Sequence, residues 1–456
     1  MKKRIPLQIL GSILAASVGL ANPVHAATDQ DRIAELEQKM ERLLEALQQK
    51  EANIEALTRQ VGKLAASRDA APAAAPSLTR SGEEAIKAVV EEVVKKREAA
   101  SPPGKWSFGG YGEIHANFSE GSVNGQSRDQ LDIHRMVAMV GYEFSDWIKF
   151  QSEVELEHAF VDDGTKGELE LEQAYVDFLL NDHANVRLGR VLTPVGLTNQ
   201  HHEPTTFYGV ERPNFDKYII PTTWWSDGIG IFGNLAPNLG YEAYLVGGLD
   251  GSKFTSDGIR NGRIKDIPSL NDMAVAMRMD YFPFMESAAS WAQHLRLGAS
   301  LYHGGFNNGV EGKDPGKNGD LTIYAADFSA RFGNLDLKGA AAFEKIDGAE
   351  KLTNVAEELY GYFLEAGYHI LPEAWKRGRL ANVDLVPFVR YDRYDTQHAM
   401  PEGVMAASGK DRQDWTFGLA FYPVPNLVLK ADYQVLKADG ANDPDNTINL
   451  GLGWQF

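Results

Sequence analysis

Cysteine is absent from all 456 residues. That excludes disulfide staples, thiol catalysis and cysteine-ligated metal sites. Beyond the first residues there is also no apolar run approaching the ~20 residues of a spanning helix. With 43% hydrophobic residues, a membrane protein lacking such runs has one other architecture open to it. That is the closed barrel, because only complete strand pairing satisfies every backbone group in lipid. Basic residues are in the minority, 45 Lys and Arg against 63 Asp and Glu, for a formal charge of −18. This balance argues against nucleic acid and anionic lipid surfaces as partners. It does not argue for solubility, since a barrel hides charge in its lumen and loops.

The amino end reads as an export signal. Lys2, Lys3 and Arg4 form a basic start, Ile9 to Leu20 is apolar and uncharged, and Val24-His25-Ala26 has the small-x-small form of a cleavage site. Residues 1–26 are therefore expected to be a signal peptide, with the mature chain starting at Ala27.

Residues 27–66 are expected to form a periplasmic α-helical coiled coil. With Ile33 at position a, the a sites are Ile33, Met40, Leu47, Ile54 and Val61, and the d sites Leu36, Leu43, Lys50, Leu57 and Leu64. Nine of these ten seam positions are apolar and Glu, Gln, Lys and Arg dominate between them, which is a specific coiled-coil pattern. Residues 67–104 are a linker: an Ala/Pro-rich spacer, then a short helix capped by Ser81 and stopped by Ser101-Pro102-Pro103-Gly104.

From Lys105 to Phe456 the pattern is all-β. Ile148, Phe150, Val154 and Leu156 share one face of a strand, and Lys149, Gln151, Glu153, Glu155 and Glu157 share the other. Sixteen such strands are expected, near 105–118, 130–144, 147–160, 168–181, 184–192, 227–236, 239–248, 271–283, 293–303, 320–332, 334–345, 358–371, 382–396, 412–423, 426–438 and 446–456. Short connections alternate with long ones, which is the pattern of an antiparallel transmembrane β-barrel with both termini on one side. Strand parity places Lys149, Arg278, Arg296, Arg331, Lys338, Arg390 and Lys430 in the lumen, together with Glu153, Glu155, Glu157, Asp280, Asp327, Asp336, Glu344, Glu365, Asp392 and Asp432. Such a mixed lumen is either a transverse field or cross-strand ion pairing.

Ile448, Leu450, Leu452, Trp454 and Phe456 occupy every second position of the final strand. A terminal aromatic on such a strand resembles the signal read by the outer-membrane insertion machinery, so Trp454 and Phe456 are its candidate residues. Trp106, Phe108, Tyr142, Phe144, Phe421 and Tyr422, near strand ends, fit interfacial girdles. Outer-membrane lipid and lipopolysaccharide are the expected surroundings.

Several stretches resemble the phosphate-selective porin family, the O and P porins. They are Gly109-Gly110-Tyr111-Gly112-Glu113-Ile114-His115, Val186-Arg187-Leu188-Gly189-Arg190 with Thr193-Pro194-Val195-Gly196-Leu197, Gly228-Ile229-Gly230-Ile231 and Val386-Pro387-Phe388-Val389-Arg390-Tyr391-Asp392. The resemblance implies a sixteen-stranded barrel, a homotrimer, and one loop folded inward to narrow a pore that passes small hydrophilic solutes or ions. The counterpart of that loop is 193–226, the longest connection, carrying His201, His202, Glu203, Tyr208, Glu211, Arg212, Lys217, Trp224 and Trp225. Arg212 and Lys217 on the loop, and Arg278, Arg296 and Arg390 on the facing wall, are the candidate constriction residues. Phosphate selectivity does not follow, because the lumen also holds many acids.

Catalytic work finds little support. His201-His202-Glu203 lacks HExxH-type spacing and reads as a solvated loop, so neither a catalytic nor a metal site is assigned there. There is no P-loop, and Asp439 to Asn446 lacks the spaced ligands of an EF-hand. No cofactor is expected. The remaining alternative is a barrel that anchors the coiled coil as a structural tether or spacer of the outer membrane.

Overall fold

The computed structural model describes residues 104–119, 122–123, 126–127, 129–161, 167–264, 270–285, 294–308 and 319–456. The signal peptide, the coiled coil and most of the linker lie outside the described residues. Sixteen strands close a single antiparallel barrel. In chain order they are β1 Lys105–Ser119, β2 Gln130–Glu143, β3 Ile148–Glu157, β4 Glu168–Phe178, β5 Asn185–Leu192, β6 Trp225–Ala236, β7 Leu239–Gly247 and β8 Met273–Tyr281. They continue with β9 Arg296–Gly305, β10 Asp320–Phe332, β11 Leu335–Asp347, β12 Glu358–Tyr368, β13 Asp384–Ala399, β14 Asp411–Val424, β15 Leu427–Ala438 and β16 Asp445–Gln455. A two-residue hairpin, Ser122–Val123 with Gln126–Ser127, lies between β1 and β2. No helix of the described residues is long and apolar enough to cross a membrane.

Each strand pairs with its neighbours in sequence, and β16 closes on β1 from Tyr111↔Gln455 to Ser119↔Thr447. Phe456 completes the seam: its N–H donates to the Gly110 carbonyl at 2.9 Å, and the Gly110 N–H donates to its carbonyl at 3.0 Å. Closure leaves no unpaired edge among the sixteen barrel strands, the condition for a barrel in lipid.

The outside is apolar. Phe108 is 76% exposed and Trp106 58%, and Phe144, Phe421 and Phe456 are exposed with them. Leu169, Ile229, Leu245, Met277, Leu364, Phe417, Leu429 and Ile448 are exposed along the outward faces of the strands. In water such a surface would be a severe liability, whereas in hydrocarbon it is the favourable state. The inside carries the parity-selected ionic side chains, and Arg278, Asp327, Glu365, Arg390, Asp392, Lys430 and Asp432 are all buried.

Two β-bulges alter that parity. Glu113 pairs with Arg135 but Ile114 with Ile133, so His134 is an extra residue in β2. Glu153 pairs with Gln173 but Val154 with Leu171, which makes Glu172 the extra residue in β4. A bulge lets two successive side chains face the same side. His134 thus stacks on lumenal His115, and Glu172 is fully buried beside Glu153.

The lumen is not polar throughout. Tyr244, Val246, Ala274, Ala276, Tyr302, Leu321, Ile323 and Phe363 line one side of the barrel. They bury Val195, Phe215, Ile219, Ile220 and Trp224 of the connection after β5, and Leu249, Phe254 and Ile259 of the connection after β7. Apolar residues on the inward faces of β7–β10 therefore pack against loops instead of against water.

Candidate functional site

The connection 193–224, called here the inner loop, folds into the barrel. Its ends are tied together. The Thr193 N–H donates to the Trp224 carbonyl at 2.8 Å. Asn199 donates its side-chain amide to the carbonyls of Thr193 and Trp224, both at 2.8 Å, and accepts the Trp224 N–H at 2.9 Å. Gly196 sits at φ +76°, a left-handed conformation that a side chain would strain, and a Cβ there would lie 3.0 Å from Ile220 Cδ1. A short helix, α1 Phe215–Tyr218, turns the loop inside the lumen.

Wall side chains then hold the loop backbone. Lys338 Nζ donates to the Thr206 carbonyl at 2.7 Å, Lys430 Nζ to that of Gly209 at 2.8 Å, and Arg278 Nη1 to that of Gly196 at 2.8 Å. Arg390 Nη1 reaches the Glu211 carbonyl at 3.2 Å. Acidic side chains take the loop's donors: the Val210 N–H donates to Asp432 at 2.6 Å, the Phe215 N–H to Asp392 at 3.2 Å, and the Tyr208 hydroxyl to Asp336 at 2.6 Å. Charge-assisted bonds of this kind exceed neutral ones in strength. Glycine on β16 permits the approach, since a Cβ on Gly453 would lie 2.6 Å from Pro204 Cβ. Aromatic packing adds to this, with Trp224 against Tyr302 at 4.9 Å and Tyr218 stacked on Tyr394 at 5.1 Å between ring centroids.

Two cavities flank the loop. Towards the end bearing the long connections is one of about 680 Å³, bordered among others by His115, Arg212, Lys217, Arg260 and Arg412. Towards the end bearing the chain terminus is one of about 180 Å³, bordered among others by His201, Thr206, Arg296 and Lys338. Phe207 and Pro213 border both cavities and so lie between them. Lys430 Nζ lies 3.6 Å from the centroid of the Phe207 ring.

The five candidate arginines and lysines divide into two groups. Arg278 and Arg296 share Asp280 and Asp327, and Arg390 pairs with Glu365 and Asp392. Their charges are compensated, and Arg278 and Arg390 also donate to the loop backbone, whereas Arg296 bonds only to the wall. Arg212 and Lys217 border the larger cavity and form no ion pair among the described residues. Arg212 donates instead to the neutral oxygens of Thr222 and His202, while Lys217 is exposed. Sequence reasoning missed Arg260, from the connection after β7, which joins them at the cavity. Burial and the neighbouring Arg263 and Arg212 push its guanidinium down to about 9, so it remains charged at neutral pH.

The loop also brings ionisable groups under cover. Asp216 is buried, accepts the Thr198 hydroxyl at 2.6 Å, and is pushed up to about 8 by burial. His202, expected to be solvated, is buried. Burial opposes its charge, but the Glu172 carboxylate beside it holds it above its ordinary value. His201 is the exposed member of the pair.

A closed sixteen-stranded barrel with an apolar exterior and a loop-narrowed lumen defines an outer-membrane porin. The chain belongs to the phosphate-selective porin O and P family, which it matches over residues 108–456. It is 32% identical over 374 residues to an uncharacterized protein of Aquifex aeolicus (strain VF5), covering 77% of this chain and 80% of that protein. Solved structures of similar fold include Salmonella typhi OmpF in complex with daunomycin, with TM-score 0.52 and 13% identity, covering 77% of this chain and 98% of that one. Another is a loop-deletion form of OmpT, an outer membrane protein of Vibrio cholerae, with TM-score 0.51 and 11% identity, covering 78% of this chain and 100% of that one.

Proposed function

We propose that the protein is a diffusion pore for small hydrophilic solutes, narrowed at Phe207 and Pro213, and that it prefers anions. The observation that carries the preference is the trio Arg212, Lys217 and Arg260. All three border the 680 Å³ cavity and none has an ion-pair partner among the described residues. Fixed positive charge at a narrow, low-dielectric passage raises the local concentration of anions and repels cations. Oxyanions, phosphate included, suit guanidinium donors through bidentate hydrogen bonding.

The same reading places the long loops outside the cell and the terminal strand ends, with the coiled coil, in the periplasm. It makes Trp454 and Phe456 the insertion signal and takes the working form as a homotrimer in outer-membrane lipid and lipopolysaccharide. The heptads at 33–64 support a tether as a second role. Planar-bilayer recording separates the two: open-channel steps with an anion-directed reversal potential support the pore, and a sealed barrel supports the tether alone.

A further inference from the structure

Beneath the inner loop lies a cluster of acids that the pore does not use, touched by Arg212 only through the backbone carbonyl of His202. Glu153 comes from β3, Glu172 from the β4 bulge and His202 from the loop. One ligand atom from each lies within 4.8 Å of the other two, and all three residues are buried. Glu172 also belongs to a second such trio with Glu155 and Glu170. Arg135 compensates part of this charge through Glu113 at 2.7 Å and Glu155 at 2.9 Å.

Glu172 marks the cluster as more than an ion-pair network. It is 0% exposed, and neither of its carboxylate oxygens has a hydrogen-bond partner. Burying a carboxylate so poorly solvated costs several kcal/mol unless a charge compensates it. The nearest compensating group is His202, whose Nε2 lies 3.4 Å from Glu172 Oε2 and 3.9 Å from Glu153 Oε1. Donor atoms bound to one tetrahedral cation at ~2.0–2.2 Å lie about 3.3–3.6 Å apart. The His202–Glu172 separation already has that spacing, and the His202–Glu153 separation exceeds it by a few tenths of an ångström.

The surroundings fix the ligand atoms. His202 Nδ1 lies 2.8 Å from the Asn199 carbonyl and donates its proton there, so in the neutral ring Nε2 carries no proton; it lies 2.8 Å from the Tyr111 hydroxyl and 3.4 Å from Glu172 Oε2. Orientation of a metal-binding imidazole by a backbone carbonyl is the usual outer-shell arrangement. Glu153 is held by the Gln173 amide and by the Tyr111 hydroxyl at 3.1 Å. A cation at Nε2 would displace the Tyr111 contact, and the Tyr111 hydroxyl would keep Glu153 as its acceptor.

We propose that Glu153, Glu172 and His202 form a binding site for a divalent transition cation, zinc or manganese, that pins the inner loop to the β3–β4 wall. Two carboxylates and one imidazole suit these ions better than magnesium, which prefers oxygen ligands alone. The site goes beyond the pore reading, and its test does not involve conductance.

The experiment uses the full-length protein, stripped with a chelator, dialysed against zinc or manganese at micromolar concentration and assayed for bound metal per chain. His158→Ala removes a competing, half-exposed group, Asp132, His134 and His158, and serves as the background. We expect one ion per chain in that background and a loss of affinity of at least roughly tenfold on Glu172→Gln. His202→Ala, a change in a loop outside the strand ladder, gives the same answer should Glu172→Gln fail to fold. Metal binding that survives both changes overturns the site. So does the absence of zinc and manganese binding in the background protein, which would leave a proton shared between Glu155 and Glu172, or an imidazolium at His202, as the compensating charge.

Discussion

Asn199 and Trp224 stand at opposite ends of the inner loop and are joined by two hydrogen bonds, one to the Trp224 N–H at 2.9 Å and one to its carbonyl at 2.8 Å. A third bond, to the Thr193 carbonyl, makes this one side chain the clasp of the loop. Buried bonds of this sort stabilise by ~0.5–1.5 kcal/mol each, and leaving their backbone partners unpaired costs more. Asn199→Leu should therefore free the loop while leaving the strand ladder intact. Single-channel records should become noisy, with transient larger steps, and the heat-modifiability temperature should barely change. Quiet wild-type steps in the variant would show that wall contacts alone hold the loop.

The cations with no ion-pair partner among the described residues and the paired ones predict different consequences of mutation. Charge reversal at Arg212 or Lys217 should move the reversal potential towards cations, and so should Arg260→Glu. Arg278→Gln removes a charge already shared by Asp280 and Asp327. It should loosen the Gly196 turn and lower stability, with a much smaller effect on selectivity. A larger selectivity shift from Arg278→Gln than from Arg212→Glu would place the selective region on the wall.

Asp216 makes loop docking sensitive to pH. Its carboxyl is pushed up to about 8 when the loop is docked and lies near 3.9 when it is exposed to water. The docked loop therefore holds a proton that the released loop has lost, and docking weakens as pH rises between those two values. Hydrogen exchange of the loop amides should quicken across that range, in excess of the intrinsic pH dependence. Asp216→Asn should hold the loop docked throughout; a variant with the wild-type pH trend would assign it to another group.

Phe456 closes the barrel seam on Gly110 with its ring exposed on the lipid side. Phe456→Ala should reduce the amount of protein reaching the outer membrane while leaving the conductance of the inserted fraction unchanged. Normal surface levels would take the insertion signal away from this residue.

Much of the architecture was legible in the sequence. The strand expected near 227–236 runs from Trp225 to Ala236, and the one expected near 147–160 from Ile148 to Glu157. Period-two alternation is strong where one face meets lipid and the other ionic groups, and the expected inward parity of Arg278, Asp327, Arg390 and Asp392 agrees with their burial. The pattern fails where both faces are apolar. Ala274, Ala276, Leu321 and Ile323 point inward because folded-in loops cover them, and no local signal says so. The bulges at His134 and Glu172 were equally silent, since one extra residue changes parity without changing composition. His202 looked solvated because its partners Tyr111, Glu153 and Glu172 lie on other strands. The lengths and aromatics of 193–226 did reveal that loop, whereas Arg260 sits on a connection with no comparable signature.

If the lumen is narrowest at Phe207 and Pro213, the conductance of reconstituted protein must depend on the Phe207 side chain. Wild-type protein and Phe207→Ala should be compared in planar bilayers under a potassium chloride gradient. Wild-type channels should open in discrete steps with a reversal potential of anion-selective sign, and Phe207→Ala should raise the step size while keeping that sign. An unchanged step in Phe207→Ala would place the narrowest point elsewhere, and a sealed wild-type barrel would contradict the pore itself.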